Sequence, residues 1–410
     1  MLAASTIKQR ALELGFDLVG IAPPAAVKDL EFLPLWLRKG FGGEMRYLAN
    51  PRREDPRRII PSLKSVICVG LIYNTPYSYS TDLAHSLDDE AVSASGGGKA
   101  PARAWISRYA WGKDYHEVMR DKLEQLRAAV EQLAPDTETR VYVDTGPVVE
   151  RVFARLSGIG WTGKNTCLIN EHKGSWFFLG VILTDLKLDL DLPAPDRCGS
   201  CTRCLEACPT GALIEPYVMD ASRCISYFNI ELRGPIPQEY RTAIGRNVFG
   251  CDICQDVCPR NNRPLSGGSG PRAFPDEQDS SFSPEGRTAT THLPEFQPLT
   301  MEINTRDALS EQGTRDASAL KQAANTPFSL FNPTLESLAA VTEKDFQRIF
   351  AHSPIKRAKY QGRLRNLCVV MGNTGDCRFI PWLERTAGHP DPVVREHAAW
   401  ALHRLQNSTE

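Results

Sequence analysis

Residues 198–213 read "CGSCTRCLEACPTGAL", four cysteines within eleven positions and a proline after the last. The spacing C-x2-C-x2-C-x3-C-P is that of the bacterial ferredoxin run that holds 4Fe–4S clusters. A second copy follows without its head: Cys251, Cys254 and Cys258 give C-x2-C-x3-C-P, and Cys224 can supply the displaced first ligand. In such paired runs the fourth cysteine of each ligates the other cluster. One set is then Cys198, Cys201, Cys204 and Cys258, and the other is Cys208, Cys224, Cys251 and Cys254. Zinc also uses C-x2-C pairs, but zinc explains neither three consecutive ligands at two-residue intervals nor the repeated C-P ending. The other four of the twelve cysteines, Cys68, Cys167, Cys368 and Cys377, are scattered and read as packing residues. Two adjacent clusters make a short wire, and a wire implies an acceptor.

The chain around this run is 410 residues long, 42% hydrophobic and 24% charged, which suits two or three domains. No apolar run approaches the ~20 residues that span a bilayer. The N-terminus, "MLAASTIKQRALELG", reads as a short amphipathic helix without a signal-peptide core. A cytoplasmic protein is expected, where thiols stay reduced and clustered cysteines bind metal, with no membrane association and a monomeric state. The net charge of −1 hides two basic stretches. Residues 38–64 carry Arg38, Lys39, Arg46, Arg52, Arg53, Arg57, Arg58 and Lys64, and residues 356–365 carry Lys356, Arg357, Lys359, Arg363 and Arg365 without an acid. Such patches attract phosphate, although most charge runs are solvated faces.

Before the cysteines, helical and strand-like segments alternate. "SVICVGLIY" (65–73) is a β-branched run typical of a buried strand, and "YHEVMRDKLEQLRAAVEQL" (115–133) has apolar residues at helical spacing. This argues for an α/β layer domain over 1–188, followed by a ferredoxin-like two-cluster domain over 189–263. Residues 86–103 are glycine-rich and read as a loop. The proline-rich stretch 264–298 reads as a linker draped over the surface, within an irregular 264–328 connection. Residues 329–410 hold four short amphipathic helices that bury a face only by stacking, as in a HEAT-type pair.

Three further segments concentrate reactive groups. "RYAWGKDYH" (108–116) places aromatic, cationic and acidic side chains at a helix start. "VYVDTGPVVER" (141–151) puts Asp144 at the C-terminal end of a strand, the edge where open α/β sheets bind ligands, although an Asp before a Gly-Pro turn also serves as a turn residue. "GIGWTGKNTCLIN" (158–170) allows close backbone approach and offers Lys164. "DYHEVM" has Met119 where a cobalt lower-ligand motif needs glycine, so His116 is not read as a cobalt ligand.

These segments, with "LGFDLVGIA", "CISYFNIELRG" and "SPIKRAKYQGRLRN", make the chain similar to the epoxyqueuosine reductase family over nearly its whole length. The resemblance implies a nitroreductase-like domain holding base-off cobalamin, a two-cluster ferredoxin-like domain and a HEAT-like tRNA-binding repeat. It implies reduction of epoxyqueuosine to queuosine at the wobble position of tRNAs with GUN anticodons, those accepting aspartate, asparagine, histidine and tyrosine. Electrons would pass from an unidentified donor through two 4Fe–4S clusters to cob(II)alamin, with Asp144 as proton donor.

It also implies polar contacts to cofactor from Arg58, His116, Lys164 and Asn165, where helix capping and surface charge are the plainer readings of His116 and Lys164. An acid in this role is expected to have its pKa raised by burial. Lys356, Arg357, Lys359, Arg363 and Arg365 become tRNA-facing residues, worth a log K against log salt slope of roughly −3.5 to −4.5 if all five meet phosphates. Arg260 and Asn229 depart from the family's usual Trp and Thr and bear on local packing. A reductive dehalogenase would share the cofactors but needs no basic helical C-terminus. A plain electron-transfer module would bind no corrinoid.

Overall fold

The strand-like run at 65–73 is the centre of a four-stranded sheet. The structure, a computed structural model, describes residues 3–24, 27–82, 101–261, 289–303 and 327–407. The expected loop at 86–103, apart from its last residues, and the 264–288 part of the expected linker lie outside the described residues. The sheet comprises β1 (Leu18–Ala22), β2 (Ser65–Ile72), β3 (Thr139–Tyr142) and β4 (Phe177–Thr184), in the order β1-β2-β4-β3. Every pairing is antiparallel, with Val19 opposite Val69, and Val181 opposite both Cys68 and Tyr142. The open α/β edge invoked from the sequence therefore does not exist. β2 nevertheless lacks hydrophobic–polar alternation because helices cover both faces of the sheet. Ile67, Val69 and Leu71 pack with α1 (Ala4–Glu13) and α2 (Tyr115–Leu133), while Val66 and Cys68 pack with α3 (Glu150–Leu156).

Glycine sets how closely α2 approaches. A Cβ on Gly180 of β4 would lie 2.6 Å from Leu123 Cδ1 and 2.9 Å from Met119 Cε. The bare backbone seats α2 against the sheet and so fixes its N-terminus, which carries Asp114, Tyr115 and His116. Met119, completely buried, is a core residue of this helix.

The end of the expected linker is not draped over the surface. Phe296 is buried, with its ring 5.1 Å from that of Phe178, and Glu295 O accepts from Lys113 N at 2.7 Å. Thr300–Met301 then pairs antiparallel with Phe328–Ser329.

Among the described residues the C-terminal segments form five α-helices rather than four, because the first splits into Leu335–Ala339 and Glu343–Ile349. The longest are α4 (Lys359–Asn373) and α5 (Pro392–Asn407), and Gly372 lets them touch, since a Cβ there would meet Trp400 and Ala401 at 3.0 Å or less. α4 is buried continuously from Arg363 to Gly372, so it is a central helix and not an amphipathic one. One core joins Leu367, Met371, Leu383, Ala398 and Leu405 to Phe228, Val248 and Phe249 of the cysteine segment and to Trp105 and Trp111. The helices after residue 329 thus share their interior with the segment before residue 263.

Candidate active site

Asp144 lies two residues beyond β3 in a left-handed conformation, φ 53°, that Asp tolerates better than most residues. Its side chain remains 66% exposed. Tyr115 Oη donates to Asp144 Oδ2 at 2.6 Å, and the Tyr115 ring stacks on Phe178 at 4.2 Å. His116 Nε2 is 3.4 Å from the same Oδ2, within ion-pair range but without hydrogen-bond geometry. The other ring nitrogen, Nδ1, lies 2.7 Å from Asp114 Oδ1. Asp114 is the N-cap of α2, accepting from His116 N at 3.1 Å, and its Oδ2 is 2.9 Å from Lys356 Nζ.

Charge follows from this geometry. Burial disfavours the imidazolium of His116, but Asp114 and Asp144 outweigh it and raise the pKa to about 9. Desolvation likewise pushes the Asp144 carboxyl upward, and the adjacent His116 with the hydrogen bond from Tyr115 overcomes it, so its pKa is lowered. The raised pKa expected for an acid at this position is therefore absent here, and the proton resides on His116. The raised value belongs instead to Glu150, at about 7, through desolvation and then the charge of Asp144. Glu150 Oε1 is buried without a partner, as is Nε of the neighbouring Arg53. Two orphaned atoms of opposite polarity suit a ligand whose amides both donate and accept, as those of a corrin periphery do.

The cysteines converge from both runs. Cys198, Cys201, Cys204 and Cys258 line one cavity, roofed by Trp161, whose Nε1 lies 3.4 Å from Cys198 Sγ. In this set, burial and then its neighbours Cys201 and Cys198 raise the Cys204 pKa to about 11. In the other, burial and then the charge of Cys224 push Cys251 well up, and Cys208 acts similarly on Cys224. Thiols that repel one another's deprotonation are those a cationic cluster would hold together.

Lys164 and Asn165 sit here and not beside Asp144. Lys164 Nζ donates to Gly199 O at 2.7 Å and Cys201 O at 2.9 Å, and Asn165 Nδ2 donates to Cys254 O at 3.1 Å. Adjacent residues thus tie down both cysteine loops, and their expected contact with cobalamin is corrected: their polar atoms are already engaged. Cys167, read as packing, hydrogen-bonds Cys254. Only the tertiary fold reveals this, because Cys167 stands 87 positions away. Asn229 bonds Gly250 through both its N–H and its carbonyl oxygen, and Arg260 lies over the Trp161 ring at 5.5 Å, so both departures are accommodated beside the cysteines.

The basic C-terminal segment divides. Arg363 and Arg365 are buried, Arg363 donating to Val341 O and Leu338 O, and Arg365 to Leu232 O, Gly234 O and Phe228 O. Neither reaches solvent, so both are withdrawn as tRNA contacts. Lys356 and Arg357 are half-exposed and paired, the first to Asp114 and the second to Glu231 at 2.8 Å. Lys359 is exposed. Arg357 also covers Tyr47 at 5.5 Å, and Tyr47 belongs to a series of 3-10 turns, Arg46–Ala49, Pro51–Arg53 and Pro56–Arg58, that exposes Arg46, Arg52, Arg57 and Arg58.

Residues 197–261 match the 4Fe-4S double cluster binding domain, and residues 53–145 match the family described as "Epoxyqueuosine reductase QueG, DUF1730". The chain is 39% identical to the epoxyqueuosine reductase of Synechocystis sp., over 83% of its own length and 96% of that protein. It is 34% identical to the Escherichia coli enzyme of that name, over 97% and 88%. An epoxyqueuosine reductase solved with an epoxyqueuosine-modified tRNA-Tyr stem loop superposes at a TM-score of 0.74 and 27% identity, over 98% of this chain and 89% of that one. The Bacillus subtilis epoxyqueuosine reductase, solved with its aspartate catalytic loop swung out of the active site, gives the same TM-score and identity over 98% and 90%. By its similarity over nearly full length to these proteins, this chain belongs to the epoxyqueuosine reductase family.

Proposed function

We propose that this chain reduces epoxyqueuosine in tRNA to queuosine, using two 4Fe–4S clusters and cobalamin, with Asp144 as the proton donor. One observation carries the reading: a double-cluster cysteine segment is joined to an exposed acid, Asp144, by the aromatic line Phe249, Tyr109 and Tyr115. The ligand sets are Cys198, Cys201, Cys204 and Cys258, and Cys208, Cys224, Cys251 and Cys254. The second set is the nearer to Asp144. From it, Phe249 leads to Tyr109 at 6.1 Å, and Tyr109 to Tyr115 at 6.2 Å, which holds Asp144. The first set, beside exposed Arg197 and Arg203, accepts electrons from an external donor. The sheet layer is nitroreductase-like and α4 with α5 forms a HEAT-like pair.

Cobalamin, when bound, supplies a strongly nucleophilic reductant toward the oxirane carbon. The chain's own residues do the rest. Arg53 and Glu150 offer amide partners, Arg58 offers a further one from its exposed 3-10 turn, and Tyr115 and His116 hold Asp144 at the open edge. Removing the oxirane oxygen takes two electrons and two protons and yields an alkene and water, and an unprotonated alkoxide is a very poor leaving group. Enclosure of Asp144 by bound substrate would remove water from its carboxyl and raise its pKa. The wobble base is splayed toward Asp144 while phosphates meet Lys359, Arg357 and the 3-10 turns, with Tyr47 available for stacking.

The test is anaerobic reconstitution with iron, sulfide and cobalamin, followed by turnover of epoxyqueuosine-containing tRNA with a chemical reductant. Nucleoside mass analysis is expected to show loss of one oxygen atom. Intact epoxide in a protein that carries both clusters and corrinoid would overturn the proposal.

A further inference from the structure

The reaction consumes two protons, and one carboxyl group carries one. With Asp144 kept ionised by His116 and Tyr115, a refilling group has to stand behind it. The only imidazole beside it among the described residues is His116, whose Nε2 is buried, has no hydrogen-bond partner and lies 3.4 Å from Asp144 Oδ2. Its Nδ1 is fixed by Asp114 at 2.7 Å, and Asp114 is fixed by Lys356 at 2.9 Å. His352 O, two residues before the Pro354–Ala358 turn that carries Lys356, accepts from Asp114 N at 2.8 Å.

We propose that Lys356, Asp114 and His116 form a relay that re-protonates Asp144 within each turnover, His116 being the proton reservoir and Asp114 and Lys356 the positioning residues that set its charge. The inference rests on Asp144 being the proton donor. Asp144 gives its proton to the developing alkoxide. The His116 Nε2–H bond then breaks as the Asp144 Oδ2–H bond forms, and the neutral imidazole regains a proton from solvent. No electrons move in this step. The re-protonated Asp144 delivers the second proton, and the oxygen leaves as water.

The groups facing His116 set the direction of each effect. Asp114 and Asp144 favour the imidazolium, and Lys356 partly offsets Asp114. Glu117 is engaged by His352 at 3.0 Å, Arg151 acts on Asp144, and Tyr109 and Tyr115 are neutral. Asp114→Asn keeps a competent N-cap but removes the negative charge, so the His116 pKa falls from about 9 toward its ordinary 6.5. Lys356→Met removes the offsetting positive charge, so it rises. A purely structural role would not move the two variants in opposite directions.

The experiment is histidine NMR titration of the cluster-loaded protein, with the His116 signal assigned by its loss in His116→Gln, alongside pH–rate profiles of the full enzyme. Expected are a basic limb that falls by roughly one unit or more in Asp114→Asn and moves upward in Lys356→Met. His116→Gln is expected to lose roughly a hundredfold in turnover with iron content and tRNA affinity unchanged. Asp144→Asn is measured in parallel. If it turns over normally, the Asp144 reading falls and the relay with it. If it is inactive while the limb and the NMR titration stay unmoved in Asp114→Asn and Lys356→Met, the relay alone is overturned.

Discussion

At the residue scale, Asp144 combines a left-handed backbone, an exposed carboxylate, a hydrogen bond from Tyr115 and the adjacent His116, which together favour its charged form. Asn tolerates that backbone as well as Asp does, so Asp144→Asn isolates the proton. Turnover is expected to fall roughly 10²–10⁴-fold, with iron content unchanged by colorimetric assay. Lys164 is a different case, a buried ammonium that two carbonyls of the first cysteine loop hold in place. Lys164→Met leaves Gly199 O and Cys201 O without their donor, at a cost of about 1–3 kcal/mol each if they stay dry. The expected result is iron lost first from the set containing Cys198, seen as about half the wild-type iron after gel filtration.

At the element scale, α5 docks through a neutral histidine. His397 is fully buried, accepts from Ile236 N at Nε2 (3.1 Å), and donates from Nδ1 to Val393 O (2.7 Å). Burial lowers its pKa to about 4, so the folded state resists a proton that the unfolded chain takes up near pH 6.5. Stability from this group is complete above pH 6.5 and is lost as pH falls toward 4, about 3 kcal/mol in all. Thermal unfolding from pH 7.5 to 5 should show that slope in the wild type and a flatter one in His397→Gln. α4 is anchored by Arg365, which bridges to three carbonyls of residues 228–234. Arg365→Met is expected to cost about 3 kcal/mol or more by orphaning them, with tRNA affinity of the folded fraction unchanged.

At the scale of the whole molecule, the shared core couples the cluster segment to the C-terminal helices. Cys224 and Cys251 pack against the same interior as Leu367 and Ala401. Stripping iron is therefore expected to expose amides of α4 and α5 to hydrogen exchange together with those of residues 224–258, rather than melting the cysteine loops alone. The same architecture reduces the outward charge. With Arg363 and Arg365 inside, replacing Arg357 and Lys359 should lower the magnitude of the log K against log salt slope by roughly 1.4 to 1.8. A further loss of slope on replacing Arg363 and Arg365, in protein that stays folded, would mean that the buried arginines reach RNA.

The double-cluster segment was legible in the linear chain because cluster ligation is governed by local spacing, and the place of Asp144 just beyond a strand because its motif "VDTGPVVER" is contiguous. Composition and helical periodicity likewise sufficed for the layers and for most helices. Position alone could not tell Arg363 from Lys359 or Lys164 from an exposed lysine: each cation is defined by which carbonyls and carboxylates lie against it, and those come from residues tens to hundreds of positions away. Strand direction in the sheet, the continuity of the core across residues 263–329, and the line from Lys356 through Asp114 and His116 to Asp144 were decided by tertiary structure. Ion pairing and desolvation act over a few ångströms of space, and separation along the chain carries no record of them.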